Sequence, residues 1–118
     1  MDNLTTVGVY GTLKQGRGNH GLLSHVDKHS DAWLEGKHRL YENGIPYVVE
    51  DNTGDYNIKL EIYKIDEATL QNLDWLEGHP EFYERKEKEI KLDDGSTETA
   101  WVYIHPYPVG DENSSGVF

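Results

Sequence analysis

Turn formers are the strongest constraint on what this chain can fold into. Twelve glycines against four prolines in 118 residues cut it into short runs, which suits strands better than a helical bundle. Leu4 to Tyr10 (LTTVGVY) is β-branched and aromatic and reads as a strand, running into a glycine-bearing loop from Gly11 to Gly18. Asn19 can cap a short helical stretch containing Leu22 and Leu23. Ala32 to Tyr41 reads as a strand broken at Gly36, Asn43-Gly44 as a turn, and Tyr47 to Glu50 as the next strand. Asn57 to Ile65 alternates, with Ile58, Leu60, Ile62 and Lys64 in one register. Phe82 to Leu92 and Thr97 to His105 form a hairpin around Asp93 to Ser96; Ala100, Val102 and Ile104 share one face, Trp101, Tyr103 and His105 the other.

Only one run keeps a helical period. Asp66 can cap a helix that continues through Glu77 and stops at Gly78, with Pro80 beyond. The expected fold is therefore α+β: one domain over residues 1–108, with about six short strands, curled or closed into a small mixed barrel so that few edges are exposed, and short helices. Residues 109–118 include Gly110-Asp111-Glu112-Asn113-Ser114-Ser115-Gly116, the composition of a flexible acidic and polar tail.

Charge narrows the possible partners. Eleven basic against 22 acidic side chains leave a net charge of −11, which repels phosphate backbones and anionic headgroups. Neither nucleic acid nor a membrane is expected to bind. Without cysteine there is no thiolate nucleophile, disulfide or thiolate-ligated zinc. Met1-Asp2-Asn3-Leu4 lacks the pattern of a secretion signal, and no apolar run is long enough to span a bilayer; a cytoplasmic location is the expectation. His25 and His29 have zinc-compatible i, i+4 spacing but no acidic pair completes a site, so no metal is expected. Trp33, Trp75 and Trp101 read as core residues, with the rim of a pocket as the other reading for Trp75 or Trp101.

Two features point to chemistry. Leu70, Leu73 and Glu77 stand at i, i+3 and i+7, which puts a carboxylate on the stripe that should face the core. Either Glu77 reaches water or a nearby cation at the helix end, or it points into a cavity. There desolvation and the negative helix terminus would raise its pKa toward neutrality and make it a base and an acid in turn. Asp74, one turn earlier, either lies in solvent or adds like-charge repulsion. The second feature is Tyr10-Gly11-Thr12-Leu13: glycine just after a strand allows a sharp turn, and successive free amides make a cradle for an anionic oxygen. An ordinary glycine turn is the other reading. The glycines fit neither a P-loop nor a dinucleotide fingerprint.

Together these segments resemble a known family. VGVYGTLKQGRGNH (Val7 to His20) resembles the opening motif of γ-glutamylcyclotransferase-like proteins, and LDWLEGHPEFYER (Leu73 to Arg85) resembles their second signature, an acidic catalytic residue followed by Tyr-x-Arg. LEIYKID (Leu60 to Asp66) is similar to the strand leading into the family's catalytic helix, and Tyr-Gly-Thr-Leu-Lys is closest to the γ-glutamylamine cyclotransferase branch. The resemblance implies a small α/β barrel with a pocket at one mouth. It implies that Tyr10, Gly11, Thr12 and Leu13 bind the γ-glutamyl unit of a small substrate, that Glu77 is catalytic, that Tyr83 and Tyr103 line the pocket, and that Arg85 makes a structural pair. The implied reaction on a γ-glutamyl amine or γ-glutamyl peptide is intramolecular: the substrate's α-amine closes on its own side-chain carbonyl, giving 5-oxoproline and a free amine or amino acid without metal or other cofactor. Trp75 and His79 are local variants expected to reshape the pocket. The rival reading is a non-catalytic module that uses the same pocket or its acidic surface for binding. The subunit number is left open.

Overall fold

Period-two alternation along the strands gives the sheet two apolar faces, and the chain buries both. The computed structural model describes residues 4–118. Met1, Asp2 and Asn3, read above as part of a terminus without a signal pattern, lie outside the described residues. In chain order the elements are β1 (Thr5–Val9), a 3₁₀ turn (His20–Leu23), β2 (Ser30–Glu35), β3 (His38–Glu42), β4 (Pro46–Glu50), β5 (Asn57–Ile65), α1 (Glu67–Glu77), β6 (Glu84–Leu92), β7 (Thr97–Ile104) and β8 (Asp111–Glu112).

Five strands close into a barrel in the order β1-β5-β2-β6-β7. All neighbours are antiparallel except β1 and β7, which pair in parallel through Val7–Trp101 and Gly8–Val102. The expected small mixed barrel with one well-defined helix is thus the fold. Inside it lie Ile58, Leu60 and Ile62 from β5, Ala100, Val102 and Ile104 from β7, and Ala32 and Leu34 from β2. Gly8 faces this interior, where an added Cβ would stand 3.0 Å from Leu60 Cδ1 and 3.3 Å from Ile62 Cδ1. Lys64, expected in register with the β5 apolar face, instead bonds Thr6 and Glu98.

The opposite face of the same strands supplies a second core. Val7, Val9, Tyr63, Ile65 and Tyr103 pack with Leu70 and Leu73 of α1 and Leu23 of the 3₁₀ turn. Asp66 caps α1 by accepting the Thr69 N–H at 2.8 Å, and Gly78 ends it at φ 66°, a backbone state that costs glycine little. No helix among the described residues is long and apolar enough to cross a membrane.

Three expectations change. Ala32 to Tyr41 is two strands in different sheets, because Gly36 and Lys37 both take positive φ, 61° and 57°, and swing β3 away into a three-stranded sheet of order β4-β3-β8. Residues 109–118 are not a loose tail. Glu112 and Asp111 pair with Tyr41 and Glu42, Asn113 N–H donates to Leu40 O at 2.7 Å and Lys59 N–H to Gly116 O at 2.8 Å; polar composition hid a segment whose backbone completes two sheet edges. Trp75 is not in a core but 86% exposed, since it sits on the outer side of α1. Trp33 and Trp101 are half-buried, covered by Lys59 and Arg85 respectively.

Candidate active site

A cavity of about 160 Å³ opens where the β1 loop, the C-terminus of α1 and the start of β4 meet. All seven residues singled out in the sequence border it: Tyr10, Gly11, Thr12, Leu13, Glu77, Tyr83 and Tyr103. At ~30 Å³ per water it has room for about five, the scale of a small-molecule fragment. The turn at Asn43-Gly44, read only as a connection, delivers Ile45 and Pro46 to the wall, and Asn19, Leu76 and Phe82 join them.

Leu70 and Leu73 lock α1 against the barrel, and one helical turn further the same stripe carries Glu77 to the cavity. Among the described residues no hydrogen bond or ion pair reaches its carboxylate. Burial alone pushes its pKa up to about 7. The expected contributions from the helix terminus and from Asp74 are not what raises it. Asp74 lies neither in solvent nor against Glu77: its Oδ1 accepts from Arg85 Nε at 2.8 Å and from the Tyr103 hydroxyl at 2.7 Å. The Arg85 guanidinium lies 4.5 Å over the Trp101 ring, so the structural pairing expected of Arg85 is made with Asp74.

The three tyrosines form rigid walls. Tyr10 donates its hydroxyl to Tyr103 O at 2.6 Å and Tyr83 to Pro46 O at 2.6 Å, while Tyr103 donates to Asp74. Burial raises all three phenols, and the nearby Glu77 charge raises each further; they stay protonated and their donors are spoken for. The field of Glu77 therefore meets neutral aromatic walls.

The loop is built to leave its amides free. Gly11 O accepts Lys14 N–H at 3.0 Å, Thr12 O accepts Asn19 N–H at 2.9 Å, and Leu13 O meets His20 Nδ1 at 2.9 Å. The amides of Gly11, Thr12 and Leu13 have no acceptor among the described residues. Since buried backbone donors are nearly always paired, three successive free ones bordering a cavity suit an oxygen-rich ligand. Gly11 is required by contact: a Cβ there would stand 2.4 Å from Pro46 Cγ.

Other expectations fall away. Neither Trp75 nor His79 borders the cavity; His79 instead accepts the Arg85 N–H through Nδ1 at 3.1 Å. His25 Nε2 meets the Thr69 hydroxyl at 3.1 Å. His105, placed by alternation on the face of Trp101 and Tyr103, is buried behind the pocket wall, with its ring edge-on to Tyr83 and Phe82.

Fold and pocket together define a class: small mixed barrels that present a lone desolvated carboxylate opposite a cradle of backbone amides. The sequence profile of the family described as gamma-glutamyl cyclotransferase, AIG2-like, matches residues 7–116, and the chain belongs to that family. A Methanocaldococcus jannaschii protein provisionally named a gamma-glutamylcyclotransferase is 41% identical over 109 residues, covering 92% of this chain and 90% of its own. The gamma-glutamylaminecyclotransferase of Rattus norvegicus is 31% identical over 94 residues, 71% of this chain and 62% of its own. The crystal structure of a mouse AIG2-like protein superposes with a TM-score of 0.76 at 27% identity, over 86% of this chain and 77% of that one.

Proposed function

We propose that the chain is a cytoplasmic cyclotransferase that converts a γ-glutamyl amine or a γ-glutamyl peptide to 5-oxoproline and the free amine or amino acid, with Glu77 as general base and then general acid. The observation that carries this reading is an unpartnered carboxylate raised to about 7 in the same cavity as the free amides of Gly11 to Leu13. A carboxylate with that pKa takes and returns a proton at neutral pH with little driving-force penalty.

In this reading the loop amides hold the glutamyl unit folded, so that its α-nitrogen lies against its own γ-carbonyl. Glu77 takes a proton from the α-ammonium, and the freed lone pair attacks the carbonyl carbon. The carbon–nitrogen bond to the departing amine then breaks as Glu77 returns the proton to it. The lactam keeps one hydrogen on nitrogen; the two protons lost by the ammonium end on the amine, which leaves as an ammonium ion. Nucleophile and electrophile belong to one molecule, so positioning supplies much of the rate, and a loop amide offers the developing oxyanion a donor. The acidic surface supports a small-molecule partner rather than nucleic acid or membrane.

The test is 5-oxoproline release from a panel of γ-glutamyl amines and peptides by wild type and Glu77→Gln. Release by wild type that falls at least about 100-fold in the variant is expected. No release from any member by a folded protein would overturn the proposal and favour the binding module.

A further inference from the structure

Resting on that reading of the loop, we infer that Phe118 is a positioning residue. With Lys14 and Arg17 it fastens the outer side of the Gly11 to Gly18 loop, so that the free amides of Gly11, Thr12 and Leu13 face the cavity before substrate arrives. Lys14 closes the Tyr-Gly-Thr-Leu-Lys run, and nothing in the proposed reaction uses it. It is nonetheless only 8% exposed, and a buried ammonium needs an acceptor. Its Nζ donates to Phe118 O at 2.5 Å, the one hydrogen bond this ammonium makes among the described residues. Three residues on, the Arg17 guanidinium lies 4.6 Å over the Phe118 ring. Neither cation borders the cavity. Both cations of the loop thus close on one residue, which is 104 positions from Lys14 in sequence.

Phe118 can serve as an anchor because the segment that carries it is itself fixed. Asn113 ties that segment to β3 and Gly116 ties it to β5, and Asn113 Nδ2 donates to Val117 O at 2.8 Å. At Gly116 the chain takes a φ of 74°, and a Cβ there would stand 1.8 Å from Asn57 O. Only glycine lets the backbone cross β5 this closely. The same strand holds the loop at another point, where Gln15 N–H donates to Glu61 Oε1 at 2.8 Å. With Lys14, Gln15 and Arg17 pinned on the outside, the amides on the inside have little room to turn. Such order is felt as affinity. A loop that substrate must first bring into place weakens binding in proportion to the time it spends out of place. Once substrate has ordered it, the complex is the wild-type one and turns over at the same rate.

The test uses the full chain as Phe118→Ala, Phe118→Tyr and Lys14→Met, with the panel substrate that wild type turns over fastest and with 5-oxoproline as a binding probe. Phe118→Ala removes the ring beneath Arg17 and leaves Phe118 O in place; Lys14→Met removes the ammonium and keeps an apolar stem. KM is expected to rise about threefold in Phe118→Ala and about tenfold in Lys14→Met, with kcat unchanged. Phe118→Tyr keeps the aromatic face and should restore the wild-type KM. The calorimetric Kd of 5-oxoproline should rise by the same factors. Hydrogen exchange should quicken at the amides of Lys14, Gln15 and Asn19 and stay as in wild type along β5. A fall in kcat at constant KM would mean fewer folded molecules, not a looser loop, and would overturn the inference. Loop amides that exchange at the wild-type rate in both Phe118→Ala and Lys14→Met would overturn it as well. If wild type cyclises nothing, the catalytic proposal fails on its own, and the exchange rates still decide this one: faster loop exchange supports it and unchanged exchange rejects it.

Discussion

Replacing Glu77 with glutamine removes a charge that the folded protein holds at a cost, and pH sets the size of that cost. Unfolded, the carboxyl ionises near 4.5; folded, near about 7. Between those values the native state keeps a proton that the unfolded chain has lost. The stability this confers is complete below 4.5 and is lost as pH rises through 7. At ~1.4 kcal/mol per pH unit of separation, ionising Glu77 costs the fold about 3 kcal/mol at pH 8, and about 1 kcal/mol at pH 5. Glutamine is nearly isosteric and never ionises. Relative to wild type, Glu77→Gln should therefore gain about 2 kcal/mol between pH 5 and pH 8, with ~3 kcal/mol as the ceiling because water still screens a half-buried group. Urea unfolding followed by circular dichroism at both pH values, with m unchanged, gives the number. Distant groups with displaced values, such as Glu50 and His38, cancel in the variant-minus-wild-type difference. A difference that is the same at pH 5 and pH 8 would refute the reasoning, since it would mean that Glu77 is as well solvated folded as unfolded.

The rate should report the same group: kcat/KM of wild type is expected to rise with pH to a plateau with an apparent pKa near 7, a limb that a rate profile of Glu77→Gln lacks. Gly11→Ala must displace Pro46, 2.4 Å from the new Cβ; we expect a loss of about 1–3 kcal/mol in denaturant unfolding and a larger fall in turnover than Thr12→Ala. Asp74→Asn and Tyr103→Phe share one hydrogen bond, so a double-mutant cycle on stability should give a coupling of at least ~0.5 kcal/mol, and additive effects would deny that Asp74 anchors Tyr103.

Local signals were readable wherever one residue decides the outcome. Gly78 stops α1, Asp66 starts it, and the i, i+7 relation brings Glu77 round to the face of Leu70; none of these needs a distant partner. The alternation in β7, and in β5 up to Ile62, likewise separates the two faces; Lys64 departs from it because Thr6 and Glu98 hold its ammonium. What stayed hidden depends on pairs far apart in sequence. Nothing near Asp74 announces Arg85 and Tyr103, so its carboxylate reads as solvated. Nothing in Asp111-Glu112 announces the open edge of β3 that it covers. Phe82 reads as the start of a strand, yet it precedes β6 and turns to the cavity because Gly78 and His105 hold it there. Trp75 misleads in the opposite direction: composition places a large indole inside, but the helical phase that directs Leu73 inward directs Trp75 outward.

The placement of β1 has a consequence for how the protein is made. This first strand pairs with β5 on one side and, in parallel, with β7 on the other. Emerging from a ribosome at about 5–20 residues per second, β1 waits on the order of ten seconds before β7 exists. Through that interval the nascent chain carries an apolar strand with one hydrogen-bonding edge unfilled, and the cavity beside the following loop lacks the wall that Tyr103 supplies. Ligand binding therefore cannot assist early folding; the pocket forms with closure of the barrel, among the last events of synthesis. Slowing translation after residue 65 should lengthen the window in which chaperones capture this chain, without altering the stability of the finished protein.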